Sequence, residues 1–165
     1  MIVVLRELDY EQLKEKLDSQ DRIVIWSCND CTKYCDLGGR KNLNGLADAL
    51  EKDGFNVIRR ELVGVSCQPN LIRERTRHPS TKEIFDDATA IVVLACTDGY
   101  LKVQRVFRKK KVISVGVSVG LGTYSEKDGM RLVIPLEETG LKPSVKGLSL
   151  EEVAKKLDLK AGPIA

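Results

Sequence analysis

The chain has no long hydrophobic run, no strong imbalance of charge and only one histidine. Its longest apolar stretch, around Ile91 to Cys96, is far too short to cross a bilayer. The apolar start Met1-Ile2-Val3-Val4-Leu5 is followed at once by Arg6, Glu7 and Asp9, so neither a signal-type h-region nor a small-residue cleavage site is present, and a cytoplasmic location is expected. A net charge of +3, from 27 basic and 24 acidic side chains, is too small and too interspersed for a nucleic-acid groove or a polybasic membrane anchor. His78, beside Pro79 among charged residues, reads as an exposed loop side chain rather than a ligand. The glycines from Gly116 to Gly122 do not open a helix in the G-x-G-x-x-G order, so there is no dinucleotide fingerprint. Glu137-Glu138 and Glu151-Glu152 lack partners at an acid–base spacing and read as surface. No internal repeat or low-complexity segment occurs.

With 165 residues, 42% of them apolar, the chain is long enough for one domain with its own core and no disulfide staples. Tyr10, Leu13 and Leu17 fall on one stripe of a helix behind the N-cap Asp9. Arg22 to Trp26 reads as a buried strand, and a cysteine-rich loop closed by Gly38-Gly39 follows it. Leu43, Leu46, Ala47 and Leu50 mark a helix that Asp53-Gly54 stops. Phe55 to Leu62 reads as a strand despite the adjacent Arg59 and Arg60. After a turn, Pro69 stands at the start of a helix over Asn70 to Arg77. Ser80 to Glu83 has the spacing of a capping box.

Ala90 to Ala95 is the clearest strand, apolar on both faces as in the middle of a parallel sheet. A helix from Tyr100 to Phe107 ends in the basic run Arg108 to Lys111, and Val112 to Val117 is a further strand. A glycine-marked loop or hairpin arm then reaches Pro135, and Ser149 caps a last helix through Leu157. Strands alternating with helices predict an α/β fold: a single Rossmann-like domain with a mainly parallel sheet flanked by helices. Residues 1–135 are expected to form this cysteine-rich domain, and residues 136–165 a tail with a short helix.

Against these absences stand five cysteines, an odd number that argues against a disulfide framework in a reducing compartment. Cys28, Cys31 and Cys35 follow the first predicted strand in a C-x2-C-x3-C arrangement, Cys67 follows the second, and Cys96 closes the third. Ligands of open α/β sheets collect beyond the carboxyl ends of the strands. All five thiols are therefore expected at that edge, as a metal site using four of them. One triplet completed by distant single cysteines favours a [4Fe-4S] cluster. Zinc, whose structural sites more often draw on two close pairs, is the alternative, and a thiol–disulfide role for Cys28-x-x-Cys31 comes third. Cys96 also reads as a plain buried hydrophobe. Arg59, Arg60, Arg73, Arg75 and Arg77 read either as a basic rim near this edge or as solvated faces.

The segment Cys28-Asn-Asp-Cys31-Thr-Lys-Tyr-Cys35-Asp-Leu-Gly38-Gly39, the helix through Leu46 to Leu50, Cys67 before a charged helix, and Leu94-Ala95-Cys96-Thr-Asp-Gly99 resemble one family. It is the small iron–sulfur subunit associated with methylenetetrahydrofolate reductase in acetogenic bacteria (the MetV type). The likeness runs from about Met1 to about Gly129. It implies an α/β domain carrying a cluster beside a flavin-containing reductase subunit, as a non-catalytic electron-transfer or assembly partner. Members of that family continue into a second cysteine-rich segment, whereas no cysteine follows Cys96 here. The likeness is thus to the amino-terminal module alone, with one centre and no two-cluster relay.

Overall fold

A computed structural model describes residues 1–165. The order is β1 (Ile2–Arg6), α1 (Tyr10–Glu15), β2 (Arg22–Cys28), α2 (Cys31–Tyr34), α3 (Gly39–Lys52), β3 (Asn56–Val63), α4 (Pro69–Arg77), α5 (Lys82–Asp87), β4 (Ala90–Leu94) and α6 (Thr97–Val106). Then come β5 (Lys111–Ser114), β6 (Gly116–Ser125), β7 (Gly129–Pro135), a single 3-10 turn (Glu137–Thr139), β8 (Leu148–Ser149) and α7 (Leu150–Leu157). No helix is long and apolar enough to cross a membrane.

The strands form two four-stranded sheets, one parallel in the order β3-β2-β4-β5 and one antiparallel in the order β1-β6-β7-β8. The mixed α/β class and the helix-flanked parallel sheet are as expected. The expectation of one mainly parallel sheet is corrected, because the glycine-marked arm is itself a paired sheet. The strand predicted over Val112 to Val117 is two strands meeting at Val115. Its N–H donates to Val93 in the parallel sheet, and its carbonyl accepts from Glu7 beside the antiparallel one, so this residue joins the two sheets.

Alternation along β2 and β4 decides the layers. Ile23, Ile25, Val92 and Leu94 face α1, α3, α7 and the antiparallel sheet in the larger core. Val24, Trp26, Ile91 and Val93 face α4, α5 and α6 in a smaller core built on the rings of Trp26, Phe85 and Phe107. Burial on both faces explains why β4 reads as an unbroken apolar run. The helix in residues 136–165 is α7, whose Leu150, Val153 and Ala154 join the larger core.

Local signals act as chemistry requires. Asp9 and Ser149 each close a full capping box, with Gln12 and Glu152. The box read at Ser80 does not form: α5 starts one residue later, and Thr81 gives its hydroxyl to the carbonyls of Arg75 and His78 instead. The helix expected from Tyr100 begins at Thr97, because Cys96 caps it.

Candidate metal centre

The carboxyl edge of the parallel sheet is built from three strand exits. Cys28 is the last residue of β2 and lies opposite Val63, the last of β3, while Ser27 lies opposite Leu94, the last of β4. Cys67 therefore sits in the turn just beyond β3, and Cys96 is the second residue beyond β4. Strand parity puts Cys28 in the smaller core, on one face of the sheet, and Cys35 and Cys96 in the larger core, on the other. The thiols thus come to one rim from both faces.

The loop after β2 contains a helical turn, α2, where an irregular loop was expected. It is held from within: buried Thr32 gives its hydroxyl to the Cys28 carbonyl at 3.0 Å, and the Thr32 carbonyl accepts from Leu37 and Gly38, each at 3.0 Å. Gly39 then takes a positive φ of 82°, the conformation for which a glycine was expected there. Tyr34, exposed on α2, packs its ring 4.7 Å from that of Tyr124 and ties the loop to β6.

Each sulfur has its own surroundings. The Cys28 thiol donates to the Gly64 carbonyl at 3.8 Å, linking β2 to the turn that carries Cys67. Cys31 is half-buried, with its sulfur 3.9 Å from an Asp30 carboxylate oxygen. The Gly99 amide, in the first turn of α6, donates to Cys96 Sγ at 3.4 Å. Cys35 is turned beneath β1: its sulfur accepts from the Val4 amide at 3.4 Å, and its thiol faces the Ile2 carbonyl at 3.8 Å. The β1–β6 register shifts between Val3 and Val4, with Val119 of β6 as the extra residue, at the point where the Val4 amide meets this sulfur.

Burial pushes the Cys35 thiol up to about 11, against a contribution from the Val4 amide that lowers it. Burial also raises Cys96, with the thiols of Cys28, Cys31 and Cys67 adding to it. Cys67 is raised by burial, then by Asp98, Cys28 and Cys31. At neutral pH the raised thiols keep their protons, so a metal that bound them would release protons.

No three His, Cys, Asp or Glu side chains are placed to hold a single metal ion. Gly99 marks how closely this rim is packed: a Cβ there would stand 3.0 Å from Ser66 Cβ, 3.1 Å from Ala95 Cβ and 3.6 Å from Cys96 Sγ.

His78 is exposed at the end of α4, as expected, with its Nδ1 2.8 Å from Ser80 Oγ. The basic rim does not form as a unit. Arg59 and Arg75 both pair with Glu61, Arg60 pairs with Asp48 and Glu51, and only Arg73 and Arg77 have no acidic partner. Sequence reasoning missed Ser66, Thr32 and Gly99 as parts of the site. The x3 spacing from Cys28 to Thr32 is the one signal that pointed to such a turn.

No protein-family model, curated protein or solved structure matches the chain.

Proposed function

We propose that the chain is a non-catalytic electron-transfer or assembly subunit. It would hold one [4Fe-4S] cluster at the carboxyl edge of a Rossmann-like sheet and serve a flavin-containing reductase of the methylenetetrahydrofolate type. The observation that supports this reading is that Cys28, Cys31, Cys67 and Cys96 stand at or just beyond the ends of three neighbouring parallel strands, on one edge of the sheet. These four are the ligands we assign. Cys35 is the thiol left over, since its sulfur is already engaged by Val4 and Ile2 of β1.

One triplet completed by single distant cysteines favours a cluster over zinc, whose structural sites more often draw on two close pairs. A four-iron cluster takes one thiolate on each of four irons. When bound, it accepts and passes on single electrons. The protein's own residues do the rest. Trp26 and the smaller core keep water from one side, the Gly99 amide steadies the Cys96 sulfur, and the Tyr34–Tyr124 pair braces the loop. The family and partner rest on the resemblance in the cysteine segments.

Anaerobic purification followed by iron, acid-labile sulfide and zinc analysis tests the reading. Iron and sulfide in equal amounts are expected, retained in Cys35→Ala and lost in Cys67→Ala and Cys96→Ala. Colourless protein with stoichiometric zinc and no iron would sink it.

A further inference from the structure

At the end of the molecule opposite the cysteines, the last turns of α4 and α6, together with α5, enclose a cleft of about 530 Å³. The ten residues of α6 separate Cys96 from this cleft by about 15 Å at 1.5 Å per residue. Seven basic side chains and one carboxylate, Asp86, line it. The whole chain carries only +3, so this cleft gathers an excess of positive charge that the remainder offsets with net negative charge.

Part of that charge is already used. Lys82 pairs with Asp86, and Lys110 donates to the carbonyls of Asp86 at 2.9 Å and Ala88 at 2.6 Å. Arg73, Arg77, Arg105, Arg108 and Lys109 form no ion pair, and the only side-chain bond among them is a 3.4 Å contact from Arg73 to Asn70. Helix C-termini welcome cations in their last turn, which accounts for Arg77 and Arg105. It does not account for Arg73, a turn earlier on α4, or for Arg108 and Lys109 beyond the end of α6. Five unpaired cations facing one cleft repel each other unless an anion lies between them.

We propose that this cleft binds a small ligand bearing two or more phosphate groups. Four of the five free cations are arginines, whose planar forks grip phosphate oxygens two at a time. Its volume suits a ligand of nucleotide size, and buried Phe85 and Phe107, with ring centroids 5.7 Å apart, make its floor rigid and apolar. A di- or triphosphate concentrates enough negative charge in that volume to meet all five cations. The site is independent of the cysteine edge and does not rest on the function proposed for it.

Titration calorimetry of the full chain with inorganic triphosphate at physiological salt tests the proposal, with citrate and a short DNA duplex as comparison ligands. Saturable triphosphate binding is expected, tighter than citrate. It should weaken about a hundredfold in the double variant Arg77→Ala/Arg105→Ala, since two charge-assisted contacts are lost. Lys109→Glu, at an exposed position outside the helices, keeps the test valid if the double variant fails to fold, and should weaken binding at least about tenfold. No saturable binding, or binding unchanged in these variants, would overturn the site. Duplex bound more tightly than triphosphate and lost in the same variants would overturn the small-ligand assignment in favour of nucleic acid.

Discussion

The indole Nε1 of Trp26 donates to the hydroxyl of Ser66 at 3.0 Å, and both residues are fully buried. This bond joins the centre of β2 to the turn that delivers Cys67, so the smaller core fixes where one proposed ligand stands. Ser66→Ala would leave a buried N–H without a partner, costing about 1–3 kcal/mol. It should also free the turn. Urea unfolding should show the lost stability, and peptide mass spectrometry after brief alkylation should show Cys67 labelled faster in the variant than in the wild type, with Cys35 unchanged. Equal labelling of Cys67 in the two proteins would mean that the bond does not position the turn.

Gly99 decides between two opposing effects. Inside a helix, glycine to alanine ordinarily gains roughly 0.5–1 kcal/mol. Here the added methyl would meet Ser66 Cβ at 3.0 Å and Ala95 Cβ at 3.1 Å, inside a close-packed layer. Overpacking of that kind costs about 1–3 kcal/mol and wins. Gly99→Ala is therefore expected to lower the unfolding midpoint and, by crowding Cys96 Sγ, to reduce iron retained per chain. A more stable variant with full iron would show that the rim has room to spare.

Glu61 is the residue that the sequence pattern concealed. Its side chain is 3% exposed on β3, with Arg59 Nε at 2.6 Å and Arg75 Nε at 3.2 Å. Both arginines reach water, so removing the carboxylate charge should cost about 1–2 kcal/mol rather than the 3–5 of a fully buried pair. Glu61→Gln should lower the urea midpoint more than Arg75→Ala does, because the arginine is half exposed and leaves Glu61 still held by Arg59. Equal losses in the two variants would argue that Arg75, not Arg59, carries the pair.

What was legible follows from the range of the forces involved. The parallel half shows in the alternation of apolar strands with amphipathic helices, and the strand ends place Cys28, Cys67 and Cys96 on one edge. The antiparallel half showed only as a loop or hairpin arm, because Gly116, Gly120 and Gly122 interrupt β6 with residues that ordinarily mark loops, although here they admit neighbouring strands at close range. The separate role of Cys35 was hidden. It depends on β1, about thirty residues earlier in the chain, whose Val4 amide meets this sulfur where the register with β6 shifts at Val119. Adjacent Arg59 and Arg60 look like a break in strand alternation, and only the positions of Glu61, Asp48 and Glu51 show that each has its own partner.

Asp21 provides a pH test at the edge opposite the cysteines. Burial works against its ionisation, but Lys111 Nζ, the Asp18 amide at 2.8 Å and the Thr89 hydroxyl at 2.9 Å outweigh burial and hold the carboxyl below its ordinary value. The unfolded chain therefore takes up a proton at Asp21 at higher pH than the folded one. The stability from these contacts is complete above the unfolded value, near 4, and is lost as pH falls through the folded value. An asparagine side chain at this position would resemble a protonated Asp21 in shape and charge. Asp21→Asn is thus expected to cost about 1–2 kcal/mol at pH 7 and progressively less below about pH 4, where wild type and variant converge. Urea midpoints at pH 7, 5 and 3.5 measure this. A gap that stays constant across the series would mean that Asp21 acts through its hydrogen bonds alone, with its charge contributing nothing to the joining of β2, β4 and β5.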